Sequence, residues 1–270
     1  MDGSDSPPLR PAADRAKVYG EYLKQVQFGK PSHYTYSTPV PLVGVVLAPP
    51  AALDHPFHEA ELTQALRKLK NNRSSKPSGV PAEVWKLVHR HPALMADLLA
   101  FFNRCLAEGR VPGLWSEGEV VAIYKKSNPS LPQNYRPITL LDTLYKVYTR
   151  MLATRLADTL DPYLRKTQYG FRRKRSTTHA IHVVRRTLDA LCAHSDLDLN
   201  LLLCDWNKAF DKVDTSALSD ALTAYGVSGA FHKAIVSTFQ SHFRVVGMGG
   251  FPDSELHPQE TGIRQGCPLS

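Results

Sequence analysis

An apolar stripe at helical spacing runs through the middle of the chain: Leu141, Leu144, Tyr145, Tyr148, Leu152 and Leu156. Residues three and four apart share one face of an α-helix, so the stripe predicts an amphipathic helix over residues 141–156 whose apolar face must be covered. Candidate covering elements flank it on both sides. Leu62, Ala65, Leu66 and Leu69 repeat the spacing after His58, and Pro81 is placed to open a second helix. Leu94, Leu98, Phe101, Phe102 and Cys105 then continue an apolar stripe to Gly109, with Pro92 as an interruption. Downstream, Ser176-Thr177 is placed to cap a helix reaching about residue 194, and two more helices are expected over residues 215–225 and 228–240.

Strand signals are interspersed with these helices. Val120, Val121, Ile123 and Tyr124 suit a strand within residues 118–126, and residues 243–248 and 255–263 suit two more. Residues 199–204 form a short continuous apolar run, the pattern of a strand buried on both faces. Helices and strands in this mixed order, with antiparallel hairpins, predict an α+β fold rather than a strict βαβ series. At 270 residues, 43% hydrophobic and 21% charged, the chain can bury a core without disulfides or a structural metal.

Residues 1–57 differ from the rest. Pro7, Pro8, Pro11, Pro31, Pro39, Pro41, Pro49 and Pro50 interrupt each candidate element, and this stretch is expected to be an extension or linker before a domain over residues 58–270. Cys105, Cys192, Cys204 and Cys267 stand far apart with no CxxC pair, against a zinc knuckle or a disulfide framework and in favour of a reducing compartment. The longest apolar stretch, residues 40–53, falls short of the roughly 20 residues that span a bilayer and carries three prolines. With no basic and apolar leader after Met1, the chain is expected to be intracellular, in nucleus or cytoplasm, with no membrane partner.

Net charge is +8, and its distribution is uneven. Residues 161–186 hold 8 basic and 1 acidic side chains, whereas residues 187–270 hold 5 basic and 10 acidic. A dense basic block suits a polyanion, and an acidic segment beside it suits metal or general base chemistry. Within the basic block, Arg172-Arg173-Lys174-Arg175 adjoins Tyr169 and Phe171. Charge for phosphates beside rings for unstacked bases favours contact with a single-stranded template over a solvated loop or a nuclear localisation signal. His179 and His182, spaced i and i+3, lack a third ligand in sequence and are expected to be exposed helix residues.

The sharpest local feature follows the apolar run: Cys204-Asp205-Trp206-Asn207-Lys208-Ala209-Phe210-Asp211-Lys212-Val213-Asp214. A buried strand ending in a carboxylate offers a fixed oxygen ligand to a hard cation such as Mg²⁺, although Asp205 is equally able to begin a turn. Asp214 is expected to cap the next helix.

Six blocks stand in a recognisable order. They are Lys76-Pro77-Ser78-Gly79-Val80-Pro81-Ala82-Glu83-Val84-Trp85, residues 115–125, Asn134-Tyr135-Arg136-Pro137-Ile138-Thr139-Leu140-Leu141, Gln168-Tyr169-Gly170-Phe171-Arg172, residues 205–213, and Gly262-Ile263-Arg264-Gln265-Gly266-Cys267-Pro268-Leu269-Ser270. Together they resemble the reverse transcriptases of non-LTR (LINE-type) retrotransposons, with group II intron enzymes as more distant relatives. The resemblance covers about residues 60–270. It implies the fingers and the first part of the palm of a right-hand polymerase acting on an RNA template, a DNA primer and deoxynucleoside triphosphates.

Residue by residue, Asp205 matches the first catalytic aspartate, a ligand of both Mg²⁺ ions in two-metal phosphoryl transfer. Phe210 matches the bulky ring that rejects a ribose 2′-OH, a reading favoured over plain core packing by its register from Asp205. Lys125 and Arg136 match the residues that grip the triphosphate, a point charge and a bidentate fork suited to phosphate. Gln265 and Gly266 match the block lining the nucleotide and template pocket. The family's second catalytic block, with two adjacent aspartates, belongs after Ser270, and the chain has no Asp-Asp pair. The resemblance therefore implies an incomplete polymerase domain, inactive by itself, or a non-catalytic nucleic-acid-binding remnant.

Overall fold

The computed structural model describes residues 12–29, 53–74, 76, 79–192, 199–206, 208–246 and 255–270. Helix α5 (Thr143–Leu160) is the axis of the main core. Asp142 caps it, its carboxylate accepting from the backbone N–H groups of Leu144 and Tyr145. This satisfies donors that the helix itself leaves unpaired. Burial goes beyond the expected stripe: Val147 and Thr149 are fully buried as well, while Leu144 and Leu156 are only partly covered. The Thr149 hydroxyl meets its requirement locally by donating to the Tyr145 carbonyl, 2.8 Å away.

Three helices supply most of the cover. They are α2 (Glu59–Arg67), α4 (Pro92–Glu108) and α8 (Gly229–Ser237), which bring Leu62, Phe102 and Phe231 into the core. Phe102 and Trp115 pack their rings against Tyr148 at 5.5 and 5.9 Å. Fully burying one such side chain contributes about 1.5–3 kcal/mol, so these aromatics carry a large share of the stability. Pro92 is not an interruption but the first residue of α4, where its missing N–H costs no hydrogen bond. Pro81 immediately precedes the short helix α3 (Ala82–Leu87).

Among the described residues one four-stranded sheet forms, its strands lying in the order Tyr135–Leu140, Glu117–Tyr124, Ser241–Val246 and His257–Gln259. Strand β1 (Glu117–Tyr124) and β2 (Tyr135–Leu140) form an antiparallel hairpin. Strand β3 (Ser241–Val246) lies parallel to β1, a pairing that spans α5 and the helices α6 (Thr177–Cys192), α7 (Thr215–Ala224) and α8. Strand β4 (His257–Gln259) is shorter than expected and closes the edge. The α+β class is observed.

Two expectations are corrected. Within residues 1–57, Ala12–Tyr22 forms helix α1, continued by a π-helical turn over Leu23–Gln27. Ala16, Tyr19, Leu23 and Phe28 pack on Val120, Phe243 and Val245 of the sheet. Leu53 and Phe57 are buried in the main core. The prolines flank these pieces instead of breaking them, and residues 1–11 and 30–52 lie outside the described residues. The second correction concerns residues 199–204, which form no strand and are exposed, Leu202 at 84%. A strand exists only through its neighbour's hydrogen bonds. The four strands of the sheet pair with one another and leave this run without one.

Candidate nucleotide and template site

The hairpin β1–β2 sets the first side of the site. Its register pairs Ile123 with Arg136, and the Lys125 N–H continues the ladder by donating to the Asn134 carbonyl at 2.8 Å. Alternation then puts Lys125, two residues past Ile123, on the face that Arg136 occupies. Both are exposed. Two cations on one face of a hairpin tip are available to an anion.

The second side is the turn over residues 208–212. Ile263 donates its N–H to the Phe210 carbonyl at 2.9 Å, and Gly262 donates to the Val213 carbonyl at 2.7 Å. Gln265 donates its side-chain amide to the Asp211 carboxylate at 2.7 Å. Its own carbonyl accepts from the Thr139 N–H of β2 at 2.9 Å. Glycine is required twice here. A Cβ at Gly262, φ +80°, would stand 2.5 Å from the Asp211 carbonyl oxygen, and one at Gly266, φ +119°, 2.7 Å from that of Thr139. Three blocks distant in sequence are thus locked together: residues 134–141, 205–213 and 262–270.

Arg264 anchors the last of these from below. It is 5% exposed, and its guanidinium donates to the carbonyls of Trp115 and Thr238 at 2.8 and 2.9 Å and to the Tyr145 hydroxyl at 3.0 Å. Burial pushes the Tyr145 phenol far above its ordinary range, so it stays neutral while receiving this donor and the Cys267 thiol. Sequence reasoning did not single out Arg264, because a lone arginine ordinarily signals surface charge.

The basic block divides in two. Arg172 is held by Asp161 at 2.8 and 3.1 Å and by the Asp161 and Arg165 carbonyls, while Arg173 pairs with Asp158 at 2.7 Å. Arg172 holds the Asp161 carboxyl below its ordinary range. Arg172, its side chain nearly covered, is therefore built into the loop, whereas Arg173, although paired with Asp158, remains exposed together with Lys174 and Arg175. The Arg175 guanidinium lies 5.8 Å from the Tyr169 ring, which stacks on His179 at 6.5 Å. His179 accepts from the Ser176 N–H at 3.1 Å, the role of a helix-terminal residue. Phe171, 90% exposed, meets Phe210 edge to face at 5.8 Å, bringing the fourth block to the site. Phe171, Lys174 and Lys208 have φ of 61°, 58° and 53°, a left-handed backbone uncommon outside glycine and frequent at functional sites.

Asp205 is not brought into this arrangement. It sits on the exposed, unpaired run of residues 199–206. Asp214 caps α7 as expected, accepting from the N–H groups of Ser216 and Ala217. Among the described residues the group able to hold a metal ion is Glu21, Glu255 and His257, which does not include Asp205.

A family model described as reverse transcriptase (RNA-dependent DNA polymerase) matches residues 123–270. Among curated proteins, the chain is 28% identical over 218 residues to the transposon TX1 uncharacterized 149 kDa protein of Xenopus laevis, a match covering 81% of this chain and 16% of that protein. It is 30% identical over 162 residues to the probable RNA-directed DNA polymerase from transposon BS of Drosophila melanogaster, covering 58% and 17%. The RNA-directed DNA polymerase from mobile element jockey of the same fly is 32% identical over 120 residues, covering 43% and 13%. The chain thus spans about a sixth of the length of the first two relatives. No helix among the described residues is long and apolar enough to cross a membrane.

Proposed function

Because the chain belongs to the reverse transcriptase (RNA-dependent DNA polymerase) family and its relatives come from non-LTR retrotransposons, we propose that residues 58–270 are the nucleotide- and template-gripping part of an RNA-directed DNA polymerase. The observation that carries this is the hydrogen-bonded junction of Thr139, Asp211 and Gln265, which gathers three motif blocks around one surface. In right-hand terms the β1–β2 hairpin belongs to the fingers and residues 199–270 to the palm.

Lys125 and Arg136 take the triphosphate of the incoming deoxynucleotide, Arg136 through its two-pronged fork. Phe210 stands against the sugar and excludes a 2′-OH by collision. Gln265 and Gly266 line the pocket floor, where the glycine lets the backbone close on Thr139. Phe171 and Tyr169 offer ring faces to template bases, with Lys174 and Arg175 on the backbone phosphates. Arg172 acts on the template through the loop it braces, and Arg173 lies exposed beside Lys174 and Arg175.

Divalent metal chemistry is general to the family, with Mg²⁺ the ion proposed for the complete enzyme and Asp205 its ligand from this chain. The alternative reading is a nucleic-acid-binding module without catalysis. Either reading places the protein inside the cell, in nucleus or cytoplasm.

Fusing the chain to the remaining polymerase region of a relative and measuring primer extension on an RNA template separates the two. Template-dependent DNA synthesis that disappears in Asp205→Ala supports the polymerase, with residues 1–270 alone giving none. A fusion that binds primer and template yet never extends supports the binding module.

A further inference from the structure

The two sides of the site are also joined by the N-terminal helix, whose residues lie outside the six motif blocks. Tyr124 and Tyr135, at the tip of the β1–β2 hairpin, pack at 5.5 Å. Tyr135 meets Tyr19 of α1 edge to face at 5.9 Å, and Tyr19 stacks on Tyr22 at 6.1 Å. Lys208 then donates from its ammonium to the Tyr22 hydroxyl at 2.5 Å and lies 4.8 Å from the centre of that ring. Four tyrosines and a lysine therefore run from the strand bearing Arg136 to the turn bearing Phe210. A second tie lies nearby, where Thr261, just before the glycine block, donates its N–H to the Phe28 carbonyl at 3.0 Å.

Tyr19 and Lys208 show that this is more than incidental packing. Tyr19 is 4% exposed, its hydroxyl has no hydrogen-bond partner among the described residues, and burial drives its phenol upward, with Tyr22, Asp211 and Tyr135 adding to the shift. A group that gains so little for itself is held by what surrounds it. Lys208 stands at φ 53°. A side chain with a Cβ stays in the left-handed region only when neighbours fix it there, and a cation within about 6 Å of a tyrosine ring whose hydroxyl also accepts its hydrogen bond supplies such a fixing contact.

We propose that helix α1 is a positioning element of the nucleotide pocket: through Tyr22 it clamps Lys208, and so sets where the turn over residues 208–212 presents Phe210 and Asp211 relative to Arg136. The pocket half of this statement rests on the function proposed above, whereas the clamp does not. Tyr22 and Lys208 are positioning residues, since neither is placed in the pocket itself.

Hydrogen exchange in the whole chain tests the clamp directly. Tyr22→Ala and Lys208→Met should each speed amide exchange over residues 208–213 by about tenfold, with α5 unchanged, because the loss is local. The double variant should exchange no faster than either single one, as both remove the same contact. Lys208→Arg, which keeps a cation for the ring, should restore much of the protection, and Tyr22→Phe should fall between. If the turn and α5 accelerate together, or if the turn does not change, the clamp is refuted.

Titrating the same proteins with dTTP and Mg²⁺ tests the other half. Wild-type binding that weakens about tenfold in Tyr22→Ala supports positioning of a nucleotide pocket. Equal binding in both proteins refutes it. Should the wild type bind no nucleotide, the assigned function falls while the exchange data still decide the clamp.

Discussion

Replacing Arg155 with methionine should cost about 3 kcal/mol of stability. Arg155 sits on α5, 6% exposed, and its guanidinium reaches back about a hundred residues. It donates to the Leu53 and His55 carbonyls at 2.9 and 2.6 Å and makes a forked pair with Glu61 at 3.1 and 2.8 Å, over the Phe57 ring at 4.3 Å. Methionine fills much of the volume but donates nothing. The buried Leu53 carbonyl is then left without this donor at a cost of about 1–3 kcal/mol, and the part-buried carbonyls of His55 and Pro56 lose theirs at a smaller one. The Glu61 side chain, 29% exposed, can turn to water, so its share is discounted.

For a chain of this size, that loss should lower Tm by about 6–12 °C. Glu61→Gln, which keeps the geometry and removes the charge, should cost about 1 kcal/mol. The acid dependence follows from direction alone. Burial works to raise the Glu61 carboxyl, but the hydrogen bond and charge of Arg155 prevail and hold it below the ordinary glutamate range. A carboxyl whose folded pKa is depressed stabilises fully above its unfolded value and loses that contribution as pH falls through the folded one. The gap between wild type and Glu61→Gln should accordingly be constant at neutral pH and shrink below the ordinary glutamate range. Urea unfolding from neutral pH into that acid range measures all of this. A loss under 1 kcal/mol for Arg155→Met, or a gap that widens in acid, would refute the reasoning.

Other outcomes follow from the same structure. Arg264→Met should destabilise by about 3 kcal/mol by urea unfolding, and Arg264→Lys should recover less than half of that, because an ammonium cannot meet three acceptors set by a planar fork. The chain should bind single-stranded RNA or DNA weakly and without sequence preference, with an affinity that falls steeply with salt in a fluorescence anisotropy titration. Lys174→Ala with Arg175→Ala should flatten that salt dependence, whereas Arg173→Ala, which removes an ion-paired side chain, should change it less.

Much of the helical framework was legible because its signals are local. The α5 stripe, the alternation in β1 and the aspartate cap of α7 each specify an element within one or two turns of chain. Helix α1 was not legible, because its buried face is made of an alanine, a tyrosine and a leucine between prolines, and its value comes from the sheet it covers. The run over residues 199–204 misled for the opposite reason. Its composition suits a strand, but pairing is a property of two segments and only one was in view. The parallel pairing of β1 with β3 likewise has no local signature.

For the site, the motif blocks identified the reactive types, and the hydrogen bonds among Thr139, Asp211, Gln265 and Ile263 supplied what no block contains. Arg172 shows the limit of reading charge alone. A basic run looks uniform in sequence, yet two of its four cations are paired with aspartates of the preceding segment.

If Arg136, Phe210 and Gln265 border one deoxynucleotide pocket, discrimination between sugars falls to Phe210. In the chain completed with a relative's remaining polymerase region, kcat/KM should be measured for a deoxynucleotide and its ribonucleotide counterpart. The ratio of the two values reports differential transition-state binding of the sugars. Phe210→Ala should admit the ribonucleotide far more readily and move the ratio, while Arg136→Ala should weaken both substrates alike and leave it unchanged. If Phe210→Ala depressed both substrates equally, the ring would be packing against Phe171 and nothing more, and the pocket would not be where these residues place it.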